Sequence, residues 1–381
     1  MVKMIVCEEF IKILEKYDFT FFTGIPDSTF KDLMKYLTDN PNGNLKNIVA
    51  CNECEAIAIA SGYHLATNNI GIVYMQNSGF GKTVNPLTSL CDPEVYSIPI
   101  LLMIGWRGEP NIMDAPQHKK MGIITLPILE TLQIPYEVLE PNLQKIDKAL
   151  NHALDYFTNK KGPYALIFRR NFFQNYEMKT SLTNNYHLTT REVIQIILDS
   201  FSTDEIVVST TGYISRRIFE YREKNIKDHH KSFYNIGSMG CASSIGLSIA
   251  LQKQKNRVIV FDGDGAAIMQ MGAFSTIGKY APSNFVHIII DNEAHESTGC
   301  QPTNSASIKF IDIARASNYK WNVKVERKDE LYEVLDIIQN RNGPILIVIK
   351  TKIHSEPDLK RPDKLPREYK KDFMRYLSKL N

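Results

Sequence analysis

Residues 257–292 decide the fold, and they read RVIVFDGDGAAIMQMGAFSTIGKYAPSNFVHIIIDN. The apolar runs 257–261 and 285–290 predict two buried strands, and 266–280 predicts a helix between them. Asp262-Gly263-Asp264-Gly265 ends the first strand, and Asp291-Asn292-Glu293 ends the second. Because ligands of open α/β sheets bind beyond the carboxyl ends of the strands, we expect Asp264 and Asn292 to face one crevice.

The residue types at these strand ends suit a metal-bound diphosphate. Carboxylate and carboxamide oxygens are ligands that Mg²⁺ accepts, and Mg²⁺ commonly bridges to phosphates. Glycines on both sides of Asp264 let the backbone approach a diphosphate, and a helix N-terminus favours anions. The alternative is a glycine-rich turn followed by an unrelated asparagine, since short motifs carry false positives.

Composition restricts the class of protein. A chain of 381 residues favours two domains, and 43% hydrophobic residues with a net charge of +3 are ordinary for a globular protein. Residues 1–7 lead into an amphipathic helical pattern without a secretory signal, and no apolar stretch reaches membrane-spanning length. The six cysteines are sparse, which favours reduced thiols. We therefore expect a cytoplasmic protein that binds neither nucleic acid nor membrane.

Strand and helix patterns alternate in both halves of the chain. Continuous apolar runs, typical of a parallel sheet covered on both faces, occur at 19–22, 46–50, 70–75, 98–104, 161–169, 205–209 and 343–349. The polar stretch 170–188 predicts a linker, and Thr189 with Glu192 predicts a helix N-cap. Gly343-Pro344 before the last strand repeats Gly162-Pro163 before an earlier one. The pattern predicts an α/β protein with two similar domains, 1–180 and 189–381.

The interval from Gly263-Asp264-Gly265 to Asn292 resembles the cofactor motif of thiamin diphosphate-dependent decarboxylases. Glu53, ahead of Gly62-Tyr63, resembles the glutamate that activates the cofactor in that superfamily, and Glu55 is its competitor at a different spacing. Longer segments resemble the phosphonopyruvate decarboxylase family through nearly the whole chain: 22–28, 74–79, 104–110, 114–118 and 295–303. Ala115 and Cys300 depart from that family's pattern, where Glu and Gly are expected.

The resemblance implies the thiamin diphosphate-binding fold, with a pyrimidine-binding domain at 1–180 and a diphosphate-binding domain at 189–381. It implies decarboxylation of a 2-keto acid, 3-phosphonopyruvate, to phosphonoacetaldehyde and CO2, as a step of phosphonate biosynthesis. The implied cofactors are thiamin diphosphate and Mg²⁺. The cofactor would lie between Glu53 of one subunit and Asp264 of another, so the resemblance also implies a homodimer or higher homo-oligomer with sites at the subunit interface.

The resemblance also assigns individual residues. The implied catalytic residues are Glu53, Asp27, His118 and His295. The implied cofactor-binding residues are Glu53, Gly237, Ser238, Met239, Gly263, Asp264, Gly265, Ala266 and Asn292. The implied substrate-binding residues are Ser28, Ser78, Lys82, Arg107 and Thr298. The implied metal ligands are Asp264, Asn292 and Ala294.

Several alternatives stay open at this point. Sulfopyruvate decarboxylase shares the fold and cofactor, but its two domains are often separate chains, so the fused chain favours phosphonopyruvate. Acetolactate synthase shares the cofactor but normally has a middle domain. The segment 79–84, GFGKTV, approaches a dinucleotide fingerprint and suggests an NAD-dependent oxidoreductase, although Val84 replaces the third glycine. Cys51 and Cys54 have a redox or zinc spacing, but no second pair with zinc spacing follows.

Overall fold

A computed structural model describes residues 4–41, 43–180, 182–201, 205–225, 228–353 and 359–380. The first three residues, at the end where the sequence predicts no signal segment, lie outside the described ranges. The chain divides into two compact units, Met1–Ser181 and Leu182–Asn381. Within the described ranges, no helix has the length and apolar character that crossing a membrane requires.

The first unit is built on a six-stranded sheet in which every paired strand is parallel. Its strands are β1 Phe21–Gly24, β2 Lys46–Val49, β3 Gly71–Gln76, β4 Ile100–Gly105, β5 Tyr136–Val138 and β6 Tyr164–Phe168, in the order β2-β1-β3-β4-β6-β5. All residues of β4 and β6 are buried. These two apolar runs therefore correspond to strands covered on both faces. The same expectation was wrong for the run 46–50, because the residues of β2, at the edge of the sheet, are exposed or half-buried.

Among the described residues of this unit, one α-helix precedes the first strand and six follow it. They are α1 Cys7–Lys16, α2 Lys31–Asp39, α3 Glu53–Thr67, α4 Asn77–Phe80, α5 Val84–Ser89, α6 Pro116–Thr131 and α7 Leu143–Asn159. Asn52, the residue before helix α3, has an extended backbone, and its side chain accepts a hydrogen bond from Glu55 N at 3.0 Å. This cap fixes Glu53 as the first helical residue, directly after strand β2 and its short connection.

The second unit is built on another parallel sheet and a short antiparallel ladder. Its strands are β7 Ile206–Ser209, β8 Ser232–Tyr234, β9 Val258–Gly263, β10 Phe285–Asp291, β11 Ala294–His295, β12 Gln301–Pro302, β13 Trp321–Val325 and β14 Ile345–Lys350. The large sheet has the order β13-β14-β10-β9-β7-β8, and β11 pairs with β12. If the strands of each large sheet are numbered 1 to 6 in chain order, both sheets have the spatial order 2-1-3-4-6-5, read from the β2 edge in the first unit and from the β8 edge in the second. The expectation of two similar α/β domains is confirmed at the level of topology.

The helices of the second unit include one correction. They are α8 Thr190–Ser200, α9 Tyr213–Asn225, α10 Ala242–Gln252, α11 Asp264–Met269, α12 Ala273–Tyr280, α13 Phe310–Ala316, α14 Lys328–Ile338 and α15 Pro366–Leu377. The single helix predicted for 266–280 was wrong, because the chain starts a helix at Asp264, leaves it after Met269 and starts another at Ala273. Glycine is a poor residue for a helix interior, and Gly272 instead precedes the second helix.

Candidate active site

The carboxyl ends of β9 and β10 bring two acidic residues together in the second unit. Gly263 lies opposite Ile290, so Asp264 and Asp291 follow neighbouring strands side by side. Both side chains are buried. Asp264 accepts a hydrogen bond from Thr303 Oγ1, but burial and the charge of Asp291 raise the pKa of Asp264 to about 8. A divalent cation at this position would relieve that cost.

Asn292 and Ala294 lie in the loop that follows β10. Asn292 is buried, and its Oδ1 accepts from Ala294 N at 3.1 Å. An amide oxygen has two lone pairs, so this bond leaves capacity for a metal. Ala294 pairs with Pro302, and the neighbouring Thr303 N donates to Glu293 O. The Ala294 carbonyl therefore points away from its ladder partner. The three predicted metal ligands comprise one carboxylate, one amide oxygen and one backbone carbonyl.

Lys350, which the sequence analysis did not single out, neutralises the acids beneath this loop. Its Nζ lies 2.8 Å from Asp291 Oδ2 and 2.7 Å from Glu293 Oε1. Burial opposes the charge on Lys350, but the two carboxylates outweigh it and raise the pKa of Lys350. Glu293 has a left-handed φ of 61°, and Tyr186 donates a further hydrogen bond to its carboxylate at 3.0 Å. The loop that follows β10 is thus fixed by an ion-pair network.

His295 packs directly against the Gly-Asp-Gly turn. A Cβ on Gly265 would lie 2.8 Å from His295 Cε1, so a larger residue there would displace the imidazole ring. Burial lowers the pKa of His295 to about 4, and the ring is therefore neutral at pH 7. Thr298 Oγ1 lies 3.1 Å from the His295 carbonyl and 2.9 Å from Gln301 Oε1. Cys300 has a left-handed φ of 62°, which explains why glycine would suit this position.

The segment Asn235 to Gly240 lies against helix α11. Asn235 Oδ1 accepts from Gly237 N at 3.3 Å, and Ser238 has a left-handed φ of 52°. Gly240, with φ of 86°, approaches α11 so closely that a Cβ would lie 3.0 Å from Ala266 O. The predicted cofactor residues Gly237, Ser238 and Met239 therefore belong to a segment packed on the helix that Asp264 begins.

In the first unit, Glu53 begins helix α3 with its carboxylate buried. Its relative exposure is 6%, and Oε2 has no hydrogen-bond partner among the described residues. The nearest counter-charge is Lys82 Nζ at 3.3 Å. On the other side, a Cβ on Gly79 would lie 2.0 Å from Oε1. A buried carboxylate oxygen without a hydrogen bond fits the requirement for a group that bonds to a cofactor ring.

Neighbouring residues that competed with Glu53 have other surroundings. Glu55 Oε2 accepts from Cys51 N at 2.5 Å and so closes the turn before α3. None of the six cysteines, all of which are described, forms a disulfide. Within the described ranges, no cluster of three or more His, Cys, Asp or Glu side chains could hold a metal, so zinc at Cys51 and Cys54 has no support.

Asp27 occupies the crevice where the strand order of the first sheet reverses, between β1 and β3. It is 1% exposed and accepts from Gln76 Nε2 and from Thr29 N. Burial raises its pKa despite these bonds. Ser78 Oγ donates to Gln76 Oε1 at 2.7 Å, so Ser78 joins the same network. A carboxyl group that holds its proton more strongly is suited to proton donation.

Arg107 extends this network toward Asp114. Its Nε and Nη2 bind the Asp114 carboxylate at 2.8 and 2.6 Å, and its Nη1 donates to Ser28 Oγ at 2.9 Å. Burial opposes the charge of Asp114, but Arg107 holds the pKa of that carboxyl well below its usual range. Asn77 fixes the backbone of Arg107, since its amide bonds both Arg107 O and Arg107 N. One edge of the guanidinium is therefore engaged by Asp114.

His118 lies in the first turn of α6, where its backbone N–H donates to Ala115 O at 3.0 Å.

The contacts described above connect Asp27, Ser28, Ser78 and Arg107 in one network, and they pair Glu53 with Lys82. Four residues that hold these groups were not singled out as site residues: Gln76, Asp114, Thr303 and Lys350. Gln76 and Asp114 fall inside segments quoted from the sequence, whereas no sequence signal marks Lys350.

Comparisons with known proteins match both units. Residues 4–123 match the family described as thiamine pyrophosphate enzyme, N-terminal TPP binding domain, and residues 211–349 match the C-terminal TPP binding domain. The chain is 29% identical to a phosphonopyruvate decarboxylase of Streptomyces viridochromogenes, over 94% of this chain and 91% of that protein. It is 36% identical to the sulfopyruvate decarboxylase subunit beta of Methanococcus maripaludis, over 50% of this chain and 99% of that subunit.

A third relative bears on the fusion of the two units. A sulfopyruvate decarboxylase of Methanosarcina acetivorans is 28% identical over 86% of this chain and 86% of that protein. That alignment is too long to fall within one unit of this chain. Fusion of the two units therefore does not by itself decide between the two substrates, because a relative aligned across both units is named a sulfopyruvate decarboxylase.

Proposed function

We propose that this chain, which belongs to the thiamine pyrophosphate enzymes, decarboxylates 3-phosphonopyruvate to phosphonoacetaldehyde and CO2. Its relatives place it among the 2-keto acid decarboxylases of the phosphonopyruvate and sulfopyruvate type. The observation that carries this choice is the similarity to phosphonopyruvate decarboxylases of two Streptomyces species over 94% and 98% of the chain. Sulfopyruvate decarboxylation is the second candidate, favoured by the Methanosarcina relative.

The residues of the first unit have the chemistry that this reaction needs. Thiamin diphosphate, when bound, supplies a nucleophilic carbon and an acceptor for the electrons that CO2 leaves behind. Glu53 would hold a proton between its Oε2 and the pyrimidine ring. Asp27 would deliver a proton to the substrate carbon after CO2 has left, since its raised pKa keeps it protonated at higher pH.

The anionic end of the substrate requires cationic and hydroxyl partners. Arg107 and Lys82 would provide charge-assisted hydrogen bonds, and Ser28, Ser78 and Thr298 would provide hydroxyl groups. His295 and His118 would act as hydrogen-bonding groups near the reacting carbons. Because His295 has a lowered pKa, it would contribute as a neutral imidazole and not as a cation.

Mg²⁺ would be held by Asp264, Asn292 and the Ala294 carbonyl, and would supply positive charge that offsets the charge of the diphosphate. The raised pKa of Asp264 supports this assignment, because a buried carboxylate beside Asp291 gains most from a cation. Asp264→Ala is expected to abolish Mg²⁺-dependent binding of thiamin diphosphate, measured by calorimetry with and without EDTA. Tight binding that persists in the variant would contradict the metal assignment.

The activating carboxylate and the metal ligands belong to different units of the chain. From the resemblance to thiamin diphosphate-dependent decarboxylases we propose that the cofactor lies between Glu53 of one copy and Asp264 of another, in a homodimer or a higher homo-oligomer. Sedimentation with and without cofactor would test this, and an active monomer would exclude it. The cytoplasmic location expected from the sequence stays a prediction.

The deciding experiment is CO2 release from 3-phosphonopyruvate, sulfopyruvate and pyruvate in parallel, with and without thiamin diphosphate and Mg²⁺. Cofactor-dependent turnover with the highest kcat/KM on phosphonopyruvate would support the proposal. A higher value on sulfopyruvate would keep the reaction and replace the substrate. The absence of turnover on all three keto acids would overturn the substrate assignment altogether.

A further inference from the structure

The carboxylate of Glu53 has an ion-pair partner, Lys82, whose contact with Glu53 has no part in the decarboxylation scheme. Lys82 Nζ lies 3.3 Å from Glu53 Oε2, and among the described residues it is the only ion-pair partner of Glu53. The Lys82 side chain is 37% exposed, whereas that of Glu53 is 8% exposed. The Glu53 carboxylate is therefore held inside the protein, whereas the Lys82 ammonium group ends a flexible side chain that reaches solvent.

Few other titratable groups surround Glu53. The elements packed most closely on helix α3 are β1, β3, β4, α5 and the 3-10 helix Gly81–Thr83. Their titratable residues are Tyr74, whose hydroxyl donates to Asn47 at 3.0 Å, and Lys82. In the first turn of α3 itself, Glu55 is turned to Cys51 N and Cys54 is exposed. Of these groups, only Lys82 can balance the charge of Glu53.

We propose that Lys82 is a movable counter-ion that couples cofactor binding to substrate binding. The inference rests on the proposed function. To donate a hydrogen bond to the pyrimidine ring, Glu53 must carry a proton, which comes from solvent and cancels its negative charge. The ammonium group of Lys82 then loses its ion pair with Glu53 and turns toward the anionic group of the substrate. Before the cofactor binds, the same ammonium stabilises Glu53 as a carboxylate.

This arrangement predicts opposite effects of one substitution on two ligands. Lys82→Ala removes the ion pair that competes with the cofactor, so the affinity for thiamin diphosphate is expected to rise about fivefold, the upper end for a partly exposed pair. The same variant loses a charged contact to the substrate, so KM for phosphonopyruvate is expected to rise about tenfold. A residue with only a structural role would weaken both.

Proton uptake provides a readout that is independent of turnover. Calorimetric titration of the apoprotein with thiamin diphosphate at pH 7, in two buffers of different ionisation enthalpy, measures the protons taken up on binding. The uptake is expected to fall in Lys82→Ala, because the substitution removes the ammonium group 3.3 Å from Glu53 Oε2 and with it the ion pair that favours the carboxylate form. Lys82→Arg keeps the cation and should stay near wild type. Lys148→Ala, an exposed lysine of α7, is the matched control.

The outcomes separate the two levels of inference. Tighter cofactor binding, smaller proton uptake and a higher KM in Lys82→Ala support the counter-ion. If Lys82→Ala binds the cofactor as tightly as the wild type or more weakly, and the wild type binds it normally, the counter-ion role of Lys82 is refuted and the proposed function stands. Failure of the wild type to bind thiamin diphosphate in the presence of Mg²⁺ overturns the proposed function itself.

Discussion

Gly79→Ala tests how the position of the Glu53 carboxylate affects catalysis, because the added Cβ would contact only the Glu53 side chain at close range. The added Cβ would lie 2.0 Å from Glu53 Oε1 and 2.4 Å from its Cδ, whereas ordinary contact begins at 3.4 Å. The carboxylate must therefore move by about 1.4 Å. A displacement of roughly 1 Å at a reacting group costs about 100-fold in rate. We expect kcat to fall by about that factor.

The fold should tolerate the same change. The atoms that the new methyl group meets are the end of a side chain and not backbone, so the cost in the free energy of unfolding should stay below about 2 kcal/mol. Gly81→Ala is the matched control: it adds the same methyl group two residues away, and a Cβ there meets nothing within 4 Å. That variant should keep wild-type kcat.

Three measurements on enzyme saturated with thiamin diphosphate check this prediction. They are kcat from CO2 release, hydrogen–deuterium exchange at C2 of the cofactor, and thermal unfolding. Slow exchange in Gly79→Ala with a nearly unchanged melting temperature would confirm that the carboxylate was displaced. A kcat within threefold of wild type would refute the reasoning, because the contact between Gly79 and Glu53 would then have no part in catalysis.

The remaining predictions concern charge. Asp27→Asn should lose turnover yet unfold at higher urea than wild type at pH 8, because the raised pKa of Asp27 makes its ionised form destabilising as pH rises; the difference should shrink toward pH 4. Lys350→Met should lose about 3–5 kcal/mol of unfolding free energy, since it strands buried acids, whereas Lys324→Met, in an exposed pair, should lose under about 1 kcal/mol in the same urea titration. Arg107→Ala combined with Asp114→Asn, which avoids a stranded charge, should raise KM for phosphonopyruvate roughly 10- to 100-fold and leave KM for pyruvate unchanged in steady-state assays.

Local patterns were sufficient for much of the fold. The runs that predict strands at 46–50, 257–261 and 285–290 correspond to β2, β9 and β10, with ends that differ by one or two residues. The predicted N-cap at Thr189 is confirmed, since Thr189 and Glu192 bond each other's backbone. Strands β5, β8 and β13 were not predicted, because short or half-exposed segments have no continuous apolar run.

The sequence by itself determined the kind of chemistry, and the tertiary structure decided which groups meet. The Gly-Asp-Gly turn and Glu53 at a helix start are local features, set by a few neighbouring residues, so their residue types and spacing are readable in order along the chain. The pairs Glu53–Lys82, Asp264–Thr303, Asp291–Lys350 and Asp27–Gln76 join residues 29 to 59 positions apart. Each pair forms because parallel strands and their loops bring distant segments to one sheet edge. Burial then raises the pKa of Asp27 and of Asp264, and burial is a property of the packed fold alone.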